Sequence, residues 1–384
     1  MDLHRWHIRT RMHAFAIRFC AAFAYYSGLV ALARWWTQRC GRRVIILNYH
    51  RASNGDLRSH FLYLRRHYRV LPLEQALEEL CVPAQGGART RDRRTPLALT
   101  FDDGYHDHYT HAARLATELQ TPITIFLIPG YIDSGRRFWW HEGEQVVRQA
   151  QVDTVTVDSQ TYQLDRLEDQ RALARLVAQR ARFARSVAAR EEFLADLRQS
   201  LGIPATAVTP ADDDPSRPLT WAEARRMEEA GWVTFGAHSV NHPVLSYLSD
   251  PAEIKREVSE CRTALEDQLG RPVRTFAYPI GKVEHIGDHA LQAVREAGYG
   301  WAVSTIPGYN APDSDPHLLR RTYSDTSEHW RVVAARTAGV WPPPEGVRGI
   351  HIGLPGIGAV RSSARHRRRS GQPVTDGNKG SSRV

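Results

Sequence analysis

Strand-like and helix-like stretches alternate along most of this chain, and that alternation limits its folds more than any other feature. In the second half, "WVTFGA" (232–237), "VRTFAYP" (273–279), "GWAVST" (300–305) and "HLLRRTY" (317–323) are short apolar runs. Helical spacing fills 250–269 and 287–297 between them, and a helix starts at Thr220, an N-cap with Glu223 three residues on. The first half repeats the scheme with "RVIILNYH" (43–50), a helical 59–80, a strand at 97–101, a helix at 106–119 and "TPITIFLIPGYI" (121–132). Parallel strands need a crossover between them, so this order predicts a parallel sheet with helices outside. About seven strands suit a barrel better than a small open sheet, and barrels of this kind gather their chemistry at the C-terminal strand ends. The stretch 141–215 interrupts the pattern. It contains a hairpin, "TVTVDSQTYQL" (154–164), and a long arginine-rich helical segment (166–201), and reads as an insert.

The chain has 384 residues, 42% of them hydrophobic, enough for a substantial core. Its formal net charge of +9 favours anionic surroundings, with much of the excess between Arg5 and Arg43 and in the tail 341–384, which reads as disordered. The basic runs lack a module with interleaved aromatics, so nucleic-acid binding is not expected. Cys20, Cys40, Cys81 and Cys261 are scattered and read as reduced thiols. "FCAAFAYYSGLVALA" (19–33) is apolar but shorter than the roughly 20 residues of a spanning helix, and Arg18 and Arg34 bound it. Residues 1–42 therefore read as a basic, amphipathic helical segment. Within it, 14–36 either packs on the domain or makes peripheral contact with a membrane, and a spanning anchor or uncleaved signal stays open. A cytoplasmic or membrane-associated location follows, or a periplasmic one if the segment exports.

Two strand ends carry candidate chemistry. "TFDDG" (100–104) puts Asp102 and Asp103 side by side where residues on a strand point to opposite faces, so one can ligate a metal while the other stays free as a base. Capping of the next helix is the alternative. "HSVNH" (238–242) spaces two histidines by one helical turn, which suits a shared divalent ion or two unrelated core histidines. His50 ends the first strand. Trp139 and Trp140 in "RRFWWHEGEQ" either stack on sugar rings or pack the insert against the barrel.

Together "TFDDG" and "HSVNH" resemble the first two motifs of the polysaccharide deacetylases, the NodB homology domain of carbohydrate esterase family four. "FAYPIG" (276–281) and "AGYGWAVSTIPG" (297–308) resemble the third and fourth, and the likeness covers about residues 43–325. It implies a distorted (β/α) barrel of about seven parallel strands over 43–340. It further implies removal of N-acetyl groups from amino-sugar (GlcNAc-type) polysaccharides or lipid-linked glycans. Carried over by position, Asp103, His238 and His242 are the ligands of a divalent metal, zinc first and cobalt, nickel or manganese as alternatives. Asp102 is the base acting on metal-activated water. A backbone N–H near Tyr278 is expected to hold the oxyanion, with Tyr278, Pro279, Trp139, Trp140 and Arg321 facing substrate. Two features depart from the family pattern. Ala277 stands where many relatives carry an arginine that steadies the base. The usual histidine acid has no clean equivalent in His317 or His329, which leaves His50 as the candidate. Hydrolysis of a small non-sugar amide, or a catalytically dead glycan-binding protein, are the competing readings.

Overall fold

The computed structural model describes residues 15–39, 41–53, 55–81, 92–204, 207 and 209–340. The expected tail 341–384, residues 1–14 of the basic leader, Cys40 and most of the polar loop 86–95 lie outside the described residues.

Two helices, α1 (Phe15–Tyr26) and α2 (Leu29–Arg39), lead into β1 (Ile45–Tyr49). Then come α3 (Leu57–His67), β2 (Arg69–Val70), α4 (Leu73–Cys81) and β3 (Pro96–Phe101). A π-helical turn (His108–Ala113) continues into α5 (Arg114–Glu118), β4 (Ile123–Leu127) and α6 (Pro129–Ser134). The insert follows as α7 (Trp139–Gln149), the hairpin β5 (Thr154–Val157) and β6 (Gln160–Gln163), α8 (Leu167–Arg182) and α9 (Val187–Ser200). The barrel resumes with α10 (Trp221–Glu229), β7 (Val233–Ala237), α11 (Pro251–Leu269), β8 (Thr275–Ala277) and α12 (Val283–Glu296). It ends with β9 (Trp301–Val303), β10 (Thr322–Tyr323) and α13 (Trp330–Thr337).

The sheet runs β10-β1-β3-β4-β7-β8-β9, all neighbours parallel, with β2 on the start of β3. A parallel bridge from Val303 to Leu319, three residues before β10, links the two edges and completes the curl. Seven strands therefore form the distorted barrel that the sequence predicts. Along β1 and β3 alternate residues separate cleanly. Ile46 and Ala98 join Phe126, Ala277, Val303 and Leu319 in one cluster, and α4 plugs it with Leu73, Ala76, Leu77 and Leu80. Ile45, Leu47, Leu97 and Leu99 belong to the other cluster, against the surrounding helices.

Three local readings change. The helical stretch 59–80 is two helices split by β2, because Pro72 disfavours helix at Leu71, which instead pairs with Leu97 (N···O 2.9 Å). The arginine-rich segment is likewise two helices, α8 and α9, broken at 183–186. The apolar run 19–33 bends by 67° between α1 and α2, at Gly28 (φ +83°). The capping box at Thr220 and Glu223 is present, and the cysteines described, Cys20, Cys81 and Cys261, are unpaired. The insert has its own core, including Val146, Leu173, Val177 and Leu197. A buried ion pair, Arg198 to Glu142 at 2.9 Å, ties α9 to α7.

Strand register brings the polar ends of the sheet together. Tyr49 lies opposite Phe101 and Leu127 opposite Ala237, so the residues that leave β1, β3, β4 and β7 emerge at one level. Gly236 sets the approach of β7, since a Cβ there would sit 2.6 Å from both the Phe126 ring and Thr275 Oγ1. Gly236→Ala is expected to cost about 1–3 kcal/mol by overpacking, read as a lower urea midpoint.

Candidate active site

Ala98, Thr100 and Asp102 share one face of β3, so Asp102 points into the mouth of the barrel. Its N–H continues the sheet to Tyr49 O (2.9 Å). Arg321, just before β10, grips its carboxylate from across the barrel: Nη1 to Oδ1 at 2.7 Å and Nη2 to Oδ2 at 2.8 Å. The guanidinium also donates to Ser304 O (2.8 Å) and Thr100 Oγ1 (3.3 Å) and is 1% exposed. Burial pushes the Asp102 carboxyl up, but the charge of Arg321, helped by His238, outweighs it and holds the group below the usual carboxylate range.

One residue on, the chain turns left-handed at Asp103 (φ +77°) and again at Gly104 (φ +71°). The turn takes Asp103 out of the strand alternation and brings its carboxylate to the end of β7. His238 extends β7 by donating its N–H to Leu127 O (2.9 Å). Its Nδ1 donates to Ala277 O at 2.7 Å, since a carbonyl can only accept, which leaves Nε2 facing Asp103 Oδ1 at 3.4 Å. His242 Nε2 lies 3.6 Å from the same oxygen.

The two histidines converge without a helix. Ser239 (φ +62°) and His242 (φ +53°) are both left-handed, and the loop folds back on itself with His242 N–H on Ser239 Oγ at 3.0 Å. Buried Glu257 of α11 fastens the loop by accepting from Asn241 N (2.8 Å) and Nδ2 (2.7 Å). The helical reading of the His-x-x-x-His spacing is therefore wrong, although the pairing of the two imidazoles is right.

Candidate ligand atoms of Asp103, His238 and His242 lie within 4.8 Å of one another, and all three residues are buried. Ligands on a tetrahedral centre with bonds of about 2.1 Å lie about 3.4 Å apart. The separations of 3.4 and 3.6 Å match that spacing and exceed ordinary hydrogen bonds. The trio therefore fits one divalent ion. Burial pushes His242 down to about 3, so this imidazole is neutral, as a ligand must be.

The family model for polysaccharide deacetylases matches residues 89–200 and 191–302. The chain belongs to the polysaccharide deacetylase family. Among curated relatives, the deacetylase-named YxkH of Bacillus subtilis (strain 168) is 23% identical over 103 residues, 27% of this chain and 35% of that protein. The match thus spans about a third of that relative's length. Among solved structures, the deacetylase PplD of Streptococcus pyogenes, in complex with acetate, is 16% identical with a TM-score of 0.49, covering 77% of this chain and 98% of that one. IcaB of Ammonifex degensii is 16% identical with a TM-score of 0.49, covering 78% and 98%.

Within this fold, the other residues expected at the site fall into different places. His50 stands at the rim, its side chain 41% exposed and its Nε2 3.9 Å from Asp102 Oδ2. His317 instead contacts Tyr299 O, and His329 caps α13. Tyr278 does not face substrate: its N–H is taken by Val303 O (3.1 Å) and its buried hydroxyl by His317 O (2.9 Å), so it cannot hold an oxyanion. Pro279 is buried beside it. Trp139 is buried too, donating Nε1 to His242 O at 3.0 Å, and so supports the metal loop instead of a sugar. Trp140 is half-buried, stacked on Phe138 with centroids 4.7 Å apart, its ring 4.6 Å from His242. It walls the site. Arg321 is not a substrate contact either, since Asp102, Thr100 and Ser304 occupy its nitrogens. It holds Asp102 from just before β10, while Ala277 offers no charge there.

Two contributors escape sequence reasoning. Tyr323 lies at the rim, its ring 5.9 Å from that of His50. Asp107, buried before the π-helical turn, accepts on Oδ2 from Arg51 Nε (2.9 Å), Ala52 N (3.0 Å), Ser53 N (3.2 Å) and Ser53 Oγ (2.9 Å). His108 donates Nε2 to His50 O (2.9 Å). The turn that follows β3 thus fixes the loop carrying His50, and π-helical geometry often occurs at such sites. The only signal was the polar density of "YHDHY".

Arg321→Met is expected to lower stability by about 3–5 kcal/mol, because it strands a buried carboxylate. Chemical denaturation measures it. Asp107→Ala is expected to lower kcat about 10- to 100-fold through a misplaced His50, with zinc affinity by titration unchanged.

Proposed function

We propose that this deacetylase is a metal-dependent hydrolase, with zinc as the first choice of ion, that removes N-acetyl groups from a GlcNAc-type polysaccharide or lipid-linked glycan. The observation that carries the reading is Asp102, clamped by Arg321 and one residue from the buried Asp103–His238–His242 set, with His50 opposite. Asp103, His238 and His242 would hold the ion, and three protein ligands leave room for water and substrate. When bound, the ion polarises both the attacking water and the acetamide carbonyl.

The chain's own residues supply the proton handling. Asp102 stays ionised because Arg321 outweighs its burial, and the bidentate grip fixes its orientation. It takes the proton released as water adds to the carbonyl carbon. His50, at the solvent edge, is placed to protonate the amine nitrogen as the carbon–nitrogen bond breaks, giving acetate and the free amino sugar. Trp140 and the exposed Tyr323 flank the entrance and offer aromatic faces to the apolar side of a sugar ring.

Acetate release from acetylated chito-oligosaccharides tests the proposal, using the full chain stripped with a chelator and reloaded with zinc, cobalt or nickel. Stripped protein is expected to be inactive and reloaded protein active. Asp102→Asn is expected to keep the metal and lose about 10²–10⁴-fold in kcat. His50→Gln is expected to lower kcat by about 10²-fold or more with metal binding by titration unchanged. Metal-loaded protein that releases no acetate from any amino-sugar oligomer would overturn the reading, in favour of a small-amide hydrolase or a binding protein.

A further inference from the structure

The helical pair α1–α2 has an outward face that nothing described covers. On α1, Phe15, Phe19 and Phe23 recur every four residues along one side and are 72%, 66% and 64% exposed. Leu29, Leu32 and Trp36 extend the exposed apolar surface along α2. Eight of the fourteen large apolar side chains exposed among the described residues fall between Phe15 and Trp36. A soluble domain seldom leaves so many together without a partner.

The opposite face is fixed to the barrel. Ala21, Ala24 and Val30 are buried. Tyr25 packs edge-on against Trp330 with centroids 4.9 Å apart, Arg331 donates to Tyr26 Oη (2.6 Å) and Arg34 to Tyr63 Oη (3.1 Å). No single described helix is long and apolar enough to cross a membrane, and straightening the 67° bend into one span would break these contacts. The pair is held flat against the domain with its phenylalanines outward.

Charge identifies the occupant. Arg18 and Arg39 are exposed on the two helices, and the Arg39 guanidinium lies 4.0 Å over the Trp35 ring. Beyond the end of α2 a cleft of about 210 Å³ is lined by Arg42, Arg43, Arg69, Arg93 and Arg94, together with the acidic Glu79. Phenylalanine and leucine facing outward, with tryptophan, tyrosine and arginine around them, match the depth profile of a lipid interface.

We propose that α1 and α2 form a docking surface for an anionic lipid bilayer, with the phenylalanine face in the acyl boundary and the arginines on headgroup phosphates. The proposal stands apart from the reaction, and its test does not use the active site. Full-length protein is mixed with vesicles of phosphatidylcholine alone or with added phosphatidylglycerol, and the bound fraction is read by sedimentation. Wild type is expected to partition onto the anionic vesicles and to release from them in part at high salt. Phe19→Asp with Phe23→Asp is expected to reduce partitioning about tenfold or more, while the melting temperature stays at the wild-type value. Arg18→Glu with Arg39→Glu leaves the apolar face whole and is expected to remove only the preference for anionic vesicles. The proposal is overturned if wild type ignores anionic vesicles, or if the phenylalanine variant binds them equally. It is also overturned if light scattering shows that variant splitting a wild-type dimer that has no vesicle affinity.

Discussion

Arg321 and Asp102 are 219 positions apart in sequence, and the pair bolts the barrel across its lumen. One guanidinium ties the end of β3 to the end of β9 through Asp102 and Ser304, and its Cζ lies 5.6 Å from the Phe126 ring inside the curl. Removing both charges from water costs several kcal/mol, and the mutual attraction with its added hydrogen bonds roughly offsets it. The pair is therefore weak as a source of net stability and strong as a device for geometry. Every alternative arrangement leaves one charge buried alone. The Asp102 carboxylate is held in one orientation before any ligand arrives.

Around that bolt the backbone stores strain. Asp103, Ser239 and His242 are non-glycine residues in the left-handed region, each at a cost of the order of 1–3 kcal/mol. They persist because their surroundings overdetermine them. Ser239 Oγ takes the His242 N–H, Glu257 takes both nitrogens of Asn241, and Leu127 and Ala277 hold His238 from either side. Those turns hold Asp103, His238 and His242 together in one arrangement, with little left to order.

Much of this was legible in the residues, for physical reasons. Strand ends show because apolar runs stop where polar chemistry begins, which is why Asp102, Asp103, His50 and His238 could be named from sequence. Pairings across the barrel leave no local trace, so Arg321 was assigned to substrate although the alternation in "HLLRRTY" already turned it inward. The His238–His242 spacing pointed to the right pair by the wrong geometry, since left-handed residues are not announced by serine or histidine. Tyr278 misled because its N–H, unremarkable in sequence, completes a ladder to β9. The aromatic pair at 139–140 divided between support and wall, a split that depends on the angle at which α7 meets the barrel.

That angle has a wider consequence. Two residues of the insert reach back to the loop that carries the histidines: Trp139 to the carbonyl of His242, and Arg190 of α9 to the carbonyl of Asn241 at 3.1 Å. The core of the insert also takes in Tyr105, Ile128 and Tyr131 of the barrel, so the two are packed as one. Exchanging this segment therefore disturbs the loop between His238 and His242 unless the replacement reproduces both hydrogen bonds.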